Sequence, residues 1–191
     1  MSEPTTTHGP LNLQNQSLGL QIGAVFLGTV LLALSSYIEV PMRPVPVTMQ
    51  TFAITLIGAL YGWRLGAITV IAWLGEAAVG MPVLAGGSGG IAPFMGPTAG
   101  YLFSFPIIAA LTGWLAQRGW DGRNLPLAFA AMLLGNLLCL AIGGSWLASL
   151  IGWDKALAAG VTPFLIGAVL KSGLAAMTLR VIQRRTLRNG A

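Results

Sequence analysis

Long apolar runs, separated by short polar or glycine- and proline-rich stretches, dominate the pattern along the 191-residue chain. The runs cover residues 18–38, 48–62, 65–80, 97–117, 125–151 and 163–182. A helix needs about 20 apolar residues to cross a bilayer, and the second and third runs are shorter. We expect these two to be short helices whose loops dip toward a protein-lined cavity. The pattern therefore predicts an all-α, polytopic membrane protein with six transmembrane helices.

The composition agrees with this fold, because 55% of the residues are apolar and only 8% are charged, against roughly 25% charged residues in soluble domains. One membrane domain is predicted at residues 18–182, between a polar amino-terminal tail at 1–17 and a basic tail at 183–191. The high pI of about 10.2 does not indicate a nucleic-acid partner, because the basic residues flank apolar runs. Lipid is the expected environment.

The cations predict the orientation of the chain. In a six-span arrangement most of them fall on one side, namely Arg64, Arg118, Arg123, Arg180, Arg184, Arg185 and Arg188. Arg43, Lys155 and Lys171 fall on the other side or within a span. Because cytoplasmic loops carry the excess of Lys and Arg, both termini are predicted to be cytoplasmic, in a multi-pass protein of the inner (cytoplasmic) membrane.

Lys171 is the most unusual residue, because it ends the apolar stretch TPFLIGAVLK. At helical spacing its face carries Phe164 together with Ala168 and other small residues. The small residues leave room for a cavity. A cation inside a membrane segment is costly and usually faces a bundle interior with a partner. The alternative is a lysine that extends its long stem to the lipid headgroups. The small-residue face favours a binding site.

Glu76, in WLGEAAVGMP, is the other ionisable residue deep in an apolar run. It can pair with Lys171 or Arg43, accept a hydrogen bond from a ligand amide, or carry a proton. The alternative is a protonated structural carboxyl near a helix end.

Two glycine-rich motifs lie in the long connection between the third and fourth runs. AGGSGG exposes the backbone around Gly87 together with the Ser88 hydroxyl, although a flexible linker has the same composition. GPTAGY predicts a helix start whose free amides, with Thr98 and Tyr101, can meet a polar ligand. The alternative is an ordinary helix start.

Polar groups also occur at the start of the second run and within the fifth. Gln50, in PVPVTMQT, both donates and accepts hydrogen bonds and so suits an amide or urea ligand, unless this motif only caps a helix. Asn136 is as consistent with a helix contact as with a ligand contact. Ala24 and Gly28 form a small-xxx-small pair, which allows close approach to a helix inside or outside the chain.

The sequence lacks the motifs that ATP hydrolysis or metal-dependent catalysis would need. The sequence has no GxxxxGK[ST] phosphate loop and no HExxH motif, its one histidine is His8, and its one cysteine is Cys139. No ATPase, metal site, cofactor or catalytic site is therefore predicted, and we do not expect an enzyme.

Four motifs in order resemble the BioY family, the biotin-binding membrane subunits (S components) of energy-coupling factor (ECF) vitamin transporters. PVPVTMQT, GMPVLAGGSGG, GPTAGYL and TPFLIGAVLK are similar to the usual family forms PVPVTLQT, GLPVFAGG, GPTGGYL and PFLPGDLLK. The resemblance implies six helices that capture biotin in an outward-facing pocket formed by the outer loops and the last three helices. It also implies two kinds of partner, a transmembrane coupling protein and cytoplasmic ATPases, with Ala24 and Gly28 as the nearest candidates for the contact with the coupling protein.

One position departs from the family pattern. Ala168 stands where the family usually has aspartate, three residues before Lys171. An aspartate at this spacing would share a helix face with the lysine and pair with it. The loss removes one acceptor, and either Glu76 or a ligand carboxylate could then neutralise Lys171.

The resulting interpretation is high-affinity capture and uptake of biotin, which is the transported ligand and not a cofactor. We expect Tyr101 and Phe164 to hold the ring system. We expect hydrogen bonds to the urea group from Ser88, Gln50 and Asn136. Lys171 is expected to bind an anionic or carbonyl oxygen, which either end of biotin could supply. One alternative is a stand-alone secondary carrier for biotin or a related small carboxylate vitamin, proton-linked through Glu76. Another is a membrane enzyme or assembly factor.

Overall fold

A computed structural model describes residue 11 and residues 13–189 of the chain. Its helices coincide with the six apolar runs, which confirms the predicted all-α membrane fold. They are α1 (Leu18–Tyr37), α2 (Gln50–Tyr61), α3 (Trp63–Ala78), α4 (Ala99–Gln117), α5 (Leu125–Ile151), α6 (Trp153–Ala156) and α7 (Thr162–Asn189). A π-helical turn at Leu157–Val161 joins α6 to α7, so these two form the sixth helical segment. Four of the described helical segments are long and apolar enough to cross a membrane, and α2 and α3 are shorter.

The two ends of the bundle differ in their connections. At one end, here called the arginine-rich end, α1, α3 and α5 begin and α2, α4 and α7 end. At the other, here called the loop end, lie the long connections 38–49, 79–98 and 152–161. Most of the predicted amino-terminal tail, residues 1–10 and 12, lies outside the described residues, and α7 stays helical through Asn189, within the predicted basic tail.

The short helix α2 lies in the middle of the bundle. Residues 53–60 are all buried, and the helix packs against α3, α4 and α7. At 1.5 Å per residue its 12 residues extend only about 18 Å, well short of the roughly 30 Å hydrocarbon core. The bundle therefore has space above the amino-terminal end of α2, at the loop end.

The first connection folds over this space. Two short strands, β1 (Glu39–Val40) and β2 (Val47–Thr48), pair in antiparallel fashion, and the proline-rich segment between them brings Val45 into the core. The prolines keep this segment out of a helix, and the strands pair at its two ends. The residue that caps α2 is Met49 and not Thr48, although the Thr48 hydroxyl accepts a hydrogen bond from the Gln50 N–H at 3.3 Å.

Candidate functional site

A cavity of about 320 Å³ opens at the loop end, between α2, α4, α5, α7 and the first two long connections. Its size is at the lower end of the roughly 300 to 1,000 Å³ of small-molecule sites. Most of the predicted ligand residues line it, namely Gln50, Ser88, Thr98, Tyr101, Asn136, Phe164 and Lys171. Four helices and two loops thus bring residues from distant parts of the sequence together.

Lys171 points its ammonium group into the bundle. Its Nζ donates a hydrogen bond to the backbone carbonyl of Thr48, at 3.2 Å. Phe164 and Ala168, which precede it on the same helix face, line the same cavity. The ammonium therefore lies against the cavity and the strand β2, within the bundle.

Aromatic rings form one wall of the cavity. Tyr101 and Phe164 stack with ring centroids 6.3 Å apart, and the Tyr101 hydroxyl donates to the Gly160 carbonyl at 2.7 Å. The Tyr101 ring lies directly on α5, where a Cβ added at Gly143 would be 2.2 Å from the ring. Phe105 also lines the wall. The hydroxyl is already bonded within the protein, so Tyr101 offers mainly an aromatic face.

Two buried amides are held in fixed orientations. Gln50 accepts from the Thr48 hydroxyl at 2.9 Å and donates to the Ser36 hydroxyl at 3.0 Å. Asn136 donates to the Ser172 hydroxyl on α7 at 3.1 Å while lining the cavity. Asn136 thus links two helices and also borders the cavity, so the two interpretations of this residue are compatible.

Ser88 and Thr98 line the cavity from the second long connection and the start of α4. The exposed Ser88 donates its hydroxyl proton to the Ala85 carbonyl at 2.7 Å. Thr98 donates to the Pro93 carbonyl at 3.2 Å. Both hydroxyls stabilise the loop and retain the capacity to accept a hydrogen bond.

Gly87 and Glu76 lie outside the cavity lining, unlike the other predicted ligand residues. Gly87 has a positive φ of 68°, and a Cβ there would contact the Tyr37 hydroxyl at 3.4 Å, so it shapes the loop. Glu76 is half-buried on α3. Among the described residues the single ion pair joins Arg123 and Asp121, so Glu76 forms no ion pair with Lys171 or Arg43, which was one of the roles considered for it.

Gly28 approaches another helix of the same chain, since a Cβ added there would be 2.5 Å from Thr69 on α3. At Ala24 the backbone carbonyl accepts a hydrogen bond from the Tyr61 hydroxyl at 3.0 Å. The close approach at Gly28 is therefore made within the bundle, and the contact of the pair with a coupling protein stays a prediction.

Several lining residues were not predicted as ligand contacts, including Thr51, Phe105 and Cys139. Helical spacing could have identified two of them, since Phe105 follows Tyr101 by four residues and Cys139 follows Asn136 by three. Thr51 belongs to the same motif as Gln50. Its hydroxyl oxygen is buried and has no hydrogen-bond partner in the described part of the chain.

Residues 11–188 match the BioY family. The chain belongs to this family. It is 34% identical over 166 residues to a protein of Pyrococcus horikoshii named probable biotin transporter BioY, and the aligned region covers 87% of this chain and 98% of that protein. It is 36% identical over 172 residues to the biotin transporter BioY of Rhizobium etli, covering 85% of this chain and 91% of that protein.

A solved structure agrees with the family. The crystal structure of the S-component for biotin from an ECF-type ABC transporter matches with a TM-score of 0.78 and 26% identity, over 88% of this chain and 95% of that chain. The resemblance carried by the four motifs is thus confirmed. Residues of all four motifs line the cavity of this BioY family member, together with residues outside them such as Phe105, Asn136 and Cys139.

Proposed function

We propose that this chain binds biotin in the cavity at the loop end and serves as the substrate-binding subunit of a biotin transporter. The observation that carries the proposal is that four separated motifs converge on one small cavity with a lysine in its wall. The similarity to proteins named biotin transporters, and to the S-component for biotin, supports a transport subunit over an enzyme.

The chemistry of the cavity suits biotin. The ligand has an apolar thioether ring and chain, a ureido group that donates and accepts hydrogen bonds, and a carboxylate. The Tyr101 and Phe164 rings offer apolar contact, while Gln50 and Asn136 offer amides and Lys171 a positive charge. Small-molecule sites typically combine mostly apolar walls with a few such polar groups. Biotin is the transported substrate and not a cofactor.

The loop end faces the outside of the cytoplasmic membrane in this proposal, and both termini face the cytoplasm. The support is the concentration of arginines at the opposite end of the bundle. Labelling of intact cells with a membrane-impermeant maleimide tests it with two exposed positions, Ala158→Cys at the loop end and Gln16→Cys at the other. We expect labelling of the first variant only, and the opposite result would reverse the orientation.

Binding of labelled biotin to the purified wild-type protein tests the proposed ligand. We expect saturable binding at one site per chain, together with a rise in melting temperature, because a ligand that binds only the folded state stabilises it. Lipoate and thiamine serve as controls and should leave the melting temperature unchanged. Failure of biotin to bind would remove the proposed function.

Uptake also requires partners in this proposal, a transmembrane coupling protein and cytoplasmic ATPases. Vesicles that contain only this chain should bind biotin without accumulating it. Accumulation by this chain alone, abolished when the proton gradient is collapsed, would instead show a secondary carrier. Glu76, on which the proton-linked alternative is based, lies outside the cavity lining, and this position supports the proposal of a binding subunit with partners.

A further inference from the structure

A second pocket of about 270 Å³, here called the side pocket, lies beside the cavity at the loop end. Its walls come from the first two long connections, with five residues between 39 and 46 on one side and Ala85 and Gly86 on the other. Pro46 and Ala85 line both the side pocket and the main cavity, so the two spaces adjoin. A ligand that occupies the main cavity and carries a further group can therefore extend into the side pocket.

The side pocket is lined by one charge of each sign. Glu39, which is half-buried, and Arg43, which is exposed, both belong to its lining. The single ion pair in the described part of the chain joins Arg123 and Asp121, so Glu39 and Arg43 do not pair with each other. Both charged groups are thus available to pair with a ligand.

The backbone holds these two charges in position. Glu39 belongs to β1 and is paired with Thr48 of β2. Three prolines restrict the backbone of residues 41–46 around Arg43. On the opposite wall, Gly86 has a positive φ of 63°, and a Cβ there would lie 3.6 Å from a carboxylate oxygen of Glu39. Because these walls are already ordered, binding in the side pocket costs little additional conformational entropy.

Opposite charges in one pocket suit a zwitterion. A guanidinium binds a carboxylate through paired hydrogen bonds, and a carboxylate binds an ammonium. The amide of biotin with the side-chain amine of lysine, biocytin, keeps the ring system of biotin and adds both an α-carboxylate and an α-ammonium. A conjugate of this class therefore has a biotin part for the main cavity and a zwitterionic end for the side pocket.

On the basis of the proposed function, we propose that the side pocket is a second ligand subsite, which binds the zwitterionic end of amino-acid conjugates of biotin. Arg43 pairs with the carboxylate of the conjugate, and Glu39 pairs with its ammonium. The ligands of this chain then include such conjugates as well as free biotin.

Four amides of biotin with chains of equal length test this subsite. Biocytin carries both charges, the amide of 6-aminohexanoate lacks the ammonium, the amide of 1,5-diaminopentane lacks the carboxylate, and the pentylamide lacks both. Competition with labelled biotin gives the affinity of each amide for the purified wild-type protein. Ion pairs near solvent are individually weak, so we expect biocytin to bind about two- to tenfold more tightly than the pentylamide.

Two substitutions test the role of each charge. Arg43→Gln should lower the affinity of the 6-aminohexanoate amide relative to the pentylamide, and Glu39→Gln should do the same to the 1,5-diaminopentane amide. Each ratio compares two ligands of one variant, so a loss of folded protein does not affect it. Lys155→Gln and Asp154→Asn are the controls, because they remove exposed charges outside both pockets and should leave the ratios as in the wild type.

Binding of biocytin that is equal to or weaker than that of the pentylamide would overturn the inference. So would ratios that either pocket variant leaves unchanged, or a wild-type protein that binds biotin and none of the four amides. These results leave the proposed function intact, because it concerns free biotin. Failure of the wild-type protein to bind biotin would instead reject the proposed function.

Discussion

Both ends of the bundle contain close-packed glycines, but the loop end also surrounds a cavity. At the arginine-rich end, glycines bring helices into backbone contact, since a Cβ at Gly113 would lie 2.5 Å from the Trp63 nitrogen and one at Gly58 would lie 2.3 Å from the Ala109 oxygen. At the loop end, glycines and prolines occur in long connections that surround a cavity of about 320 Å³. Close glycine contacts also occur there, as at Gly100 against Trp146, but the long connections leave room for the cavity.

The difference arises from the length of α2. In lipid, helices associate through close packing of small residues, which the arginine-rich end allows along α2, α3 and α4. The strand β2 and a proline-rich segment precede α2 in the chain and lie above its first turn, at the loop end. This segment cannot extend the helix, so space remains between the longer helices α4, α5 and α7. Stability and binding should therefore be separable by substitutions at the two ends.

Gly113→Ala should have the largest effect. The added Cβ meets two separate backbone segments, with the Trp63 nitrogen at 2.5 Å and the Gly58 oxygen at 2.6 Å, and backbone cannot move aside easily. Overpacking of this kind costs about 1 to 3 kcal/mol. We expect a lower melting temperature in detergent and unchanged biotin affinity of the folded protein. Gly75→Ala is the control, because no atom lies within 4 Å of the added Cβ.

The same type of substitution at the loop end should act on binding. In Gly143→Ala the new Cβ would lie 2.2 Å from the Tyr101 ring, so the ring must shift, with loss of its stack on Phe164 and its bond to Gly160. We expect biotin affinity to fall by about tenfold, or roughly 1.4 kcal/mol, in equilibrium binding. Gly173→Ala, where no atom lies within 4 Å, should bind normally. Unchanged binding in the Gly143 variant would show that Tyr101 does not contribute to the ligand site.

Asp121→Asn tests whether a buried carboxylate stabilises the packing of the arginine-rich end. The buried carboxylate accepts from Gln183 on α7 at 2.9 Å and pairs with Arg123 at 3.0 Å. The Arg123 side chain is 66% exposed, so solvent screening weakens the contribution of this ion pair to stability. We expect a loss of about 1 kcal/mol in the free energy of unfolding and no change in biotin affinity. The exposed Asp154 supplies the control variant, Asp154→Asn.

Ser88→Ala should have the smallest effect. The side chain is exposed, and its hydroxyl proton already bonds to Ala85. Exposed substitutions usually change a free energy by less than about 0.5 kcal/mol, so biotin affinity should stay nearly the same in a titration. A large loss would show that Ser88 moves onto the ligand when biotin binds.

Periodicity and motif spacing identified much of this molecule in advance. The apolar runs predicted the first five helical segments to within two residues at each boundary, because lipid requires long apolar helices. The sixth segment, Trp153–Asn189, begins ten residues before the predicted run and ends seven residues after it. Lys171 and Asn136 stood out because polar groups are rare in such segments. Contacts between helices were harder to predict. The sequence does not show that Gly28 approaches Thr69, or that Glu76 lies outside the cavity lining, because these depend on how each helix is rotated in the bundle.

Two lysines at the loop end provide the most direct test of biotin binding in this cavity. Lys171 lines it, while Lys155 is exposed on α6 and outside the lining. Equilibrium binding of labelled biotin to Lys171→Met and Lys155→Met compares loss of the same charge at the two positions. We predict a loss of about 10- to 100-fold for Lys171→Met, from a charged hydrogen bond of roughly 1.5 to 3 kcal/mol, and no change for Lys155→Met. Equal affinity in both variants would contradict the account.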